Sequence, residues 1–489
     1  MSSYMTLLHD LASFNSPIVS IHDDGFRSSQ SKPAHPLSNT LGENTRPLSI
    51  ELNTITSAQA VEPRSESPST SEDQYSEGGW AAWSVVLGNF LALLAVSSFL
   101  NNLGVYQAYL AHNQLKEYPE SEIGWVPGLF AFLVFFCGVM IGPIFDAKGP
   151  RVLVAAGSVL VVLYVLLLGF CTQYWHFILV IGFVGGLGTS LVFTVAVAVV
   201  QHWFLRRRGL ATGTALTAGA LAGVIFPLML QPLFESVGFA WATRIQGFIA
   251  IGLLILANLL IRSRLPPRSS GSILPDPSIF RDKAFTITTI GTFFQEWGLF
   301  IPLTYLTSYG LHSEAMTSAF AYQLVSIFNG SSLVGRLLPG LISDRLGRYN
   351  TTILTLILSV AAPLGIWLPA TVMTANRANT IGSEGTVRNM TIAFTVIMGF
   401  GSGSNLSLTP VCVGQLCDTK NYGQYFATCY TIVSFSTLTG IPIGGALLTA
   451  SGGEYWATAL FTGLCYFFSL VAFATVRVMK VGWTLSAVF

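Results

Sequence analysis

HWFLRRRGLATGTALTAGALAGVIFP, residues 202–227, sets three arginines against a run that carries no charge. No side chain between Gly209 and Phe234 ionises, and Ala211, Ala215, Gly219 and Gly223 recur at every fourth position. Residues four apart share one face of an α-helix, so the segment reads as a helix with one bare edge. Lipid gives an apolar helix little reason to join another, and close approach then depends on small residues that let backbones touch. The edge predicts a helix–helix seam inside a membrane, with Gly219 and Gly223 as packing positions.

Composition agrees with a membrane setting. Of 489 residues, 52% are hydrophobic and 10% charged, with a mean hydropathy of +0.60. A soluble chain of this length carries roughly a quarter of its residues as Asp, Glu, Lys and Arg. Lipid is therefore the main solvent, and the bilayer the first partner. A net charge of +1, with no basic tract beyond three residues, gives no footing for nucleic acid. The six cysteines are scattered without a CxxC pair, and no two of the seven histidines form an HxxxH pair. The cysteines read as apolar packing residues; no metal or other cofactor is expected, and no enzyme chemistry.

Residues 1–78 differ from the rest. They hold 16 Ser and 6 Pro, with 10 acidic against 4 basic side chains and no long apolar run. Such a segment cannot bury enough apolar surface to offset its ordering entropy, so a disordered cytosolic tail is expected there. Its start lacks a basic n-region and makes no convincing signal peptide.

From Trp83 onward, runs long enough to cross a bilayer follow one another. The first six are 83–108, 124–145, 152–171, 176–200, 210–233 and 241–261. The second six are 286–309, 318–341, 351–370, 391–412, 423–449 and 456–478. An all-α membrane protein follows: twelve transmembrane helices in two pseudo-symmetric bundles, 79–261 and 286–479. The polar, Pro-rich residues 262–285 join them, and 480–489 form a C-terminal tail. Thirteen Lys and Arg fall in the loops on one side, against four on the other. Positive charge marks the cytoplasmic side, which places both termini in the cytosol, with the plasma membrane the expected location. Outside, one sequon remains, at Asn389.

The halves repeat each other. GPIFDAKGPR (142–151) follows the second span and GLISDRLGRY (340–349) the eighth; GFVGGLG (182–188) has its echo in GFGSGSN (399–405). Repetition six helices apart implies a duplicated bundle. The loop motif resembles the signature of the major facilitator superfamily: Gly340, Asp344, Arg345, Gly347 and Arg348 match it, as do Gly142, Asp146, Gly149 and Arg151, with Ala147 departing. Within that superfamily, EGGWAAW (77–83) and the opening stretch are similar to the monocarboxylate-porter branch, especially its fungal members. The resemblance covers residues 77 to about 480. It implies alternating access around a central cavity, with Asp146, Arg151, Asp344, Arg345 and Arg348 as a conformational latch.

Charge inside a membrane is costly and points to function. Glu296 and Arg336 qualify. Arg336 matches the eighth-helix arginine that binds substrate carboxylate in the family, a task suited to a planar guanidinium. The acid that proton-coupled members place one turn before it is Ser332 here, and their first-helix lysine aligns with Asn101. Glu296 is then the candidate proton-coupling residue. Asn101, Thr307, Asn329, Ser404 and Asn405 are candidates to line a more neutral polar cavity. The expected function is secondary active transport of a small organic solute, carboxylate-bearing or amphiphilic, with export of a secondary metabolite among the directions. The alternative is a non-transporting nutrient sensor on a transporter fold.

Overall fold

The computed structural model describes residues 78–102, 106, 109–110, 113–118, 120–265, 276–376, 384–484 and 487–489, all in one compact unit. The expected tail, up to residue 77, lies outside the described residues, as do residues 266–275 of the joining segment.

The described residues form twelve long helices and no strand. The first six are α1 (Gly79–Leu100), α2 (Trp125–Lys148), α3 (Arg151–Leu168), α4 (Tyr174–Trp203), α5 (Arg208–Ser236) and α6 (Gly238–Leu260). The others are α7 (Lys283–His312), α8 (Ser318–Leu346), α9 (Arg348–Ala375), α10 (Glu384–Val413), α11 (Tyr422–Ala450) and α12 (Trp456–Val481). Eleven of them are long and apolar enough to cross a membrane. The exception is α7, which has the length at 30 residues but carries Thr288, Thr289, Thr292, Gln295 and Glu296. All five are buried, so its polarity faces protein rather than lipid. Large apolar side chains such as Val152, Phe170, Leu228 and Leu259 are exposed instead, as a lipid-facing surface requires.

Several helix ends differ from the sequence-based spans, the start of α10 by seven residues, at Glu384 rather than 391. The first helix stops at Leu100 rather than 108. The seventh starts at Lys283 rather than 286, because the Asp282 carboxylate accepts the Ala284 amide hydrogen at 2.8 Å and caps its first turn. Beyond α12, residues 487–489 lie against the start of α9. The Phe489 carbonyl accepts from the amides of Tyr349 and Asn350, and its ring stacks on Tyr349 at 4.9 Å.

The apolar core gathers in two clusters. One runs from Ala82 to Phe285 and takes in Tyr422, Phe426, Cys429, Tyr430 and Val433 of α11; the other belongs to α7–α12. α11 is thus shared, and it meets α2 along one seam. The second seam joins α5 to α8. A Cβ on Gly340 would come within 2.6 Å of the Gly209 carbonyl, and one on Gly213 would collide with the Arg336 carbonyl. Further along, Gly219 faces the Arg336 side chain and Gly223 faces Asn329. The face turned to α8 therefore reads Gly209, Gly213, Leu216, Gly219, Gly223, not every fourth residue from Ala211. An α-helix turns once in 3.6 residues, so a straight seam must mix steps of three and four.

Candidate functional site

One end of the molecule, its arginine-rich face, is formed by the loops 148–151, 203–208, 346–348 and 413–421. There the duplicated loop motifs do the same thing twice. Asp344, at the end of α8, accepts the amide hydrogens of Gly209 and Leu210 at 2.8 and 2.9 Å, at the start of α5. Asp146, at the end of α2, accepts those of Gly423 and Gln424 at 3.1 and 2.8 Å, at the start of α11. Each carboxylate meets amides that have no partner within their own helix, at the positive end of the helix dipole.

The motif's spacing follows from this geometry. Gly142 and Asp146, like Gly340 and Asp344, sit one turn apart on one helix face. The glycine lets a facing helix approach: a Cβ on Gly142 would collide with the Gly423 carbonyl, as one on Gly340 would crowd Gly209. The aspartate then reaches the amide of that same facing glycine. Gly149 and Gly347, which end α2 and α8, have φ of 80° and 96°, a conformation that favours glycine. Of the latch arginines, Arg348 donates to the Leu205 carbonyl at 2.6 Å, whereas Arg151 and Arg345 are exposed.

Arg336 stands farther in, on α8. Ten residues separate it from the end of the helix, roughly 15 Å at 1.5 Å per residue. Its Nη1 donates to the Leu216 carbonyl of α5 at 2.6 Å, and its buried Nε has no hydrogen-bond partner among the described residues. Gly219 provides the room: a Cβ there would lie 2.6 Å from Nη1 and 3.5 Å from Nδ2 of Asn101. Asn101 itself donates to the Gly219 carbonyl at 2.7 Å. One turn of α5 therefore holds α1 by one polar side chain and α8 by another.

Glu296 lies thirteen residues into α7, roughly 20 Å from its start. It is 3% exposed. Arg336, Cys429, Tyr430 and Tyr466 stand within electrostatic range of it. The Tyr466 hydroxyl is itself buried and unpaired. A buried acid and a buried cation are thus held in one polar interior, with an unsatisfied donor on the cation, an arrangement suited to an anion and a mobile proton.

The remaining candidates are spread more widely. Asn329 is buried on α8 against Gly223, donating to the Val325 carbonyl of its own helix at 3.1 Å. Ser404 donates to the Phe400 carbonyl at 2.8 Å. Asn405 faces α9, accepting from Thr355 at 3.0 Å and donating to Ser359 at 3.2 Å. Thr307 is half-buried near the far end of α7. Asn389 is exposed in the second turn of α10, while the hydroxyl of Thr391 is buried against the Val387 carbonyl.

In the sequence, Arg208 is not set apart from its two neighbours in the triplet 206–208. Arg206 and Arg207 are exposed, but Arg208 is buried, donating to carbonyls of α4 and of Gly414. The available signal was its place just before Gly209, in the register that the duplication matches to Tyr422 before Gly423.

This fold has known counterparts. A family model described as Major Facilitator Superfamily matches residues 80–382. The riboflavin transporter MCH5 of Saccharomyces cerevisiae is 34% identical, over 84% of this chain and 81% of its own. The aspyridones efflux protein apdF of Emericella nidulans is 34% identical, over 82% of this chain and 79% of its own. The crystal structure of a bacterial homologue of the iron transporter ferroportin, in an outward-facing state, aligns with a TM-score of 0.65 at 12% identity. That alignment covers 81% of this chain and 99% of the other, a likeness of fold. With its duplicated loops clasping opposite bundles and its twelve helices, the chain belongs to the major facilitator superfamily and is a membrane transporter.

Proposed function

We propose that the chain carries a small amphiphilic organic anion, with Arg336 as the anchor for its carboxylate and Glu296 as the proton-coupling residue. One observation carries this reading. Arg336 is a buried cation at the seam of the two bundles, with an unpaired Nε edge and a buried acid, Glu296, in electrostatic range. A guanidinium with a free edge suits bidentate carboxylate recognition. The efflux relative supports export of a secondary metabolite, and the riboflavin relative supports a planar, polar cargo. The helix-5 stretch supports the monocarboxylate-porter branch, and the excess of Lys and Arg supports a cytosolic arginine-rich face with both termini on that side.

The test uses proteoliposomes and a panel of aromatic and aliphatic carboxylates. Counterflow exchange and accumulation driven by a pH gradient are measured for wild type and Glu296→Gln. The amide keeps the shape but cannot cycle between charged and neutral forms. Exchange should persist while gradient-driven accumulation disappears. Unchanged accumulation would remove Glu296 as the coupling residue.

A further inference from the structure

The two aspartate clasps hold helix N-termini, and the structure offers one group for the opposite ends. Arg208 is 2% exposed at the arginine-rich face. Its Nε donates to the Phe204 carbonyl at 2.9 Å and its Nη2 to the Gln201 carbonyl at 3.2 Å, both at the C-terminal end of α4. Its Nη1 donates to the Gly414 carbonyl at 3.0 Å, just past α10, and Nη2 to Oγ1 of Thr419 at 3.0 Å. Helix C-termini carry unpaired carbonyls and the negative end of the dipole, so one cation draws both ends together. α4 and α10 are counterparts in the duplication. Each belongs to a different half, so the guanidinium bonds across the division between them.

The contact has no symmetric copy. Gly209 and Gly423 receive equivalent aspartate clasps, so Arg208 corresponds to Tyr422. The Tyr422 hydroxyl donates to the Pro410 carbonyl at 3.1 Å, within its own half. The space is also tight: a Cβ on Gly414 would lie 3.1 Å from the Tyr422 ring, 3.2 Å from Oε1 of Gln201 and 3.3 Å from Nη1 of Arg208. A buried guanidinium is tolerable only while its donors are met, because an unpaired buried charge is expensive. Parting the two halves here must strip Nη1 and one bond of Nη2 at once.

We propose that Arg208 is the lock of the arginine-rich gate: its bonds to Gly414 and Thr419 set how often this face opens during transport. The inference rests on transport by parting of the two halves, and on neither Arg336 nor Glu296. Cys417 lies between Gly414 and Thr419 and is half-buried, which makes it a native reporter of opening.

Purified protein in nanodiscs is treated with a membrane-impermeant maleimide, and labelling at Cys417 is followed by peptide mass spectrometry. Arg208→Gln should raise the labelling rate tenfold or more. Arg208→Lys keeps the charge but cannot span both helix ends, so it should fall between Arg208→Gln and wild type. Thr419→Ala, which leaves the α4–α5 corner intact, should raise the rate a few-fold with an unchanged melting temperature. Arg207→Gln, at an exposed neighbour, should leave it unchanged. Wild-type labelling in folded Arg208→Gln, or in Thr419→Ala should Arg208→Gln not fold, overturns the proposal. The readout needs no substrate, so its failure would leave the proposed substrate site standing.

Discussion

A Cβ at Gly219 would lie 2.6 Å from Nη1 of Arg336, so the missing side chain of one residue is the space that the other occupies. Gly219→Ala should displace the guanidinium and break its bond to the Leu216 carbonyl. A hydrogen bond to a charged group is worth about 1.5–3 kcal/mol, so apparent substrate affinity should shift by roughly tenfold to a hundredfold. The protein should still insert and fold, because the clash is with the flexible end of a side chain. Uptake at graded substrate concentrations checks this; wild-type affinity would place Arg336 outside recognition.

Gly213→Ala offers the contrasting case. Its methyl group would meet the Arg336 backbone carbonyl, and no side chain can move aside. The two helices must separate along their seam, at a cost of about 1–3 kcal/mol. We expect a lower melting temperature and less monodisperse protein, whatever the substrate. Gly219→Leu and Gly223→Leu should lose transport while still reaching the membrane.

Arg336→Lys preserves charge and discards the fork. If the guanidinium binds a carboxylate through two bonds, affinity should fall by roughly tenfold to a hundredfold at an unchanged maximal rate. Equal affinity for Lys and Arg would leave only a point charge at work.

The two aspartate clasps should contribute independently. Asp146→Asn or Asp344→Asn keeps one acceptor and loses the charge facing the helix N-terminus. Loss of a cap costs about 0.5–2 kcal/mol, or roughly twofold to thirtyfold in the ratio of shut to open face. Because the clasps lie on separate seams, the double variant should show the product of the single effects. Maleimide labelling of Cys417 reads this directly.

Cysteine titration gives a pH dependence. Burial pushes the Cys171 thiol up to about 11 and the Cys417 thiol up to about 12. Both stay protonated at neutral pH and should react slowly in the folded protein. The unfolded chain releases these protons from about pH 8.5, before the folded one does, so stability should fall as pH rises from there toward 11 or 12. Melting curves at pH 7.5 and 9.5 test the sign, and Cys417→Ala should shrink the difference.

Some of this protein was decided by sequence alone. Apolar runs of membrane length, the small-residue edge of α5 and the twice-written Gly-x-x-x-Asp loop are local or periodic, and period and length survive in one dimension. They were enough for an all-α membrane bundle and for its superfamily. Glu296 and Arg336 were legible too, because a charge within an apolar run needs no partner to be noticed. What the sequence could not carry was contact between distant segments. Whether Asn405 faces the seam or α9 depends on helix rotation, which is set by packing against neighbours. The seam's true register, through Gly209 and Gly213, depends on the helix that α5 meets. Arg208 makes the point most sharply. Three consecutive arginines look alike in sequence, yet two face outward and the third is buried between the ends of two helices. Only the folded chain brings Gly414 and Thr419, more than 200 residues away, within reach of its guanidinium.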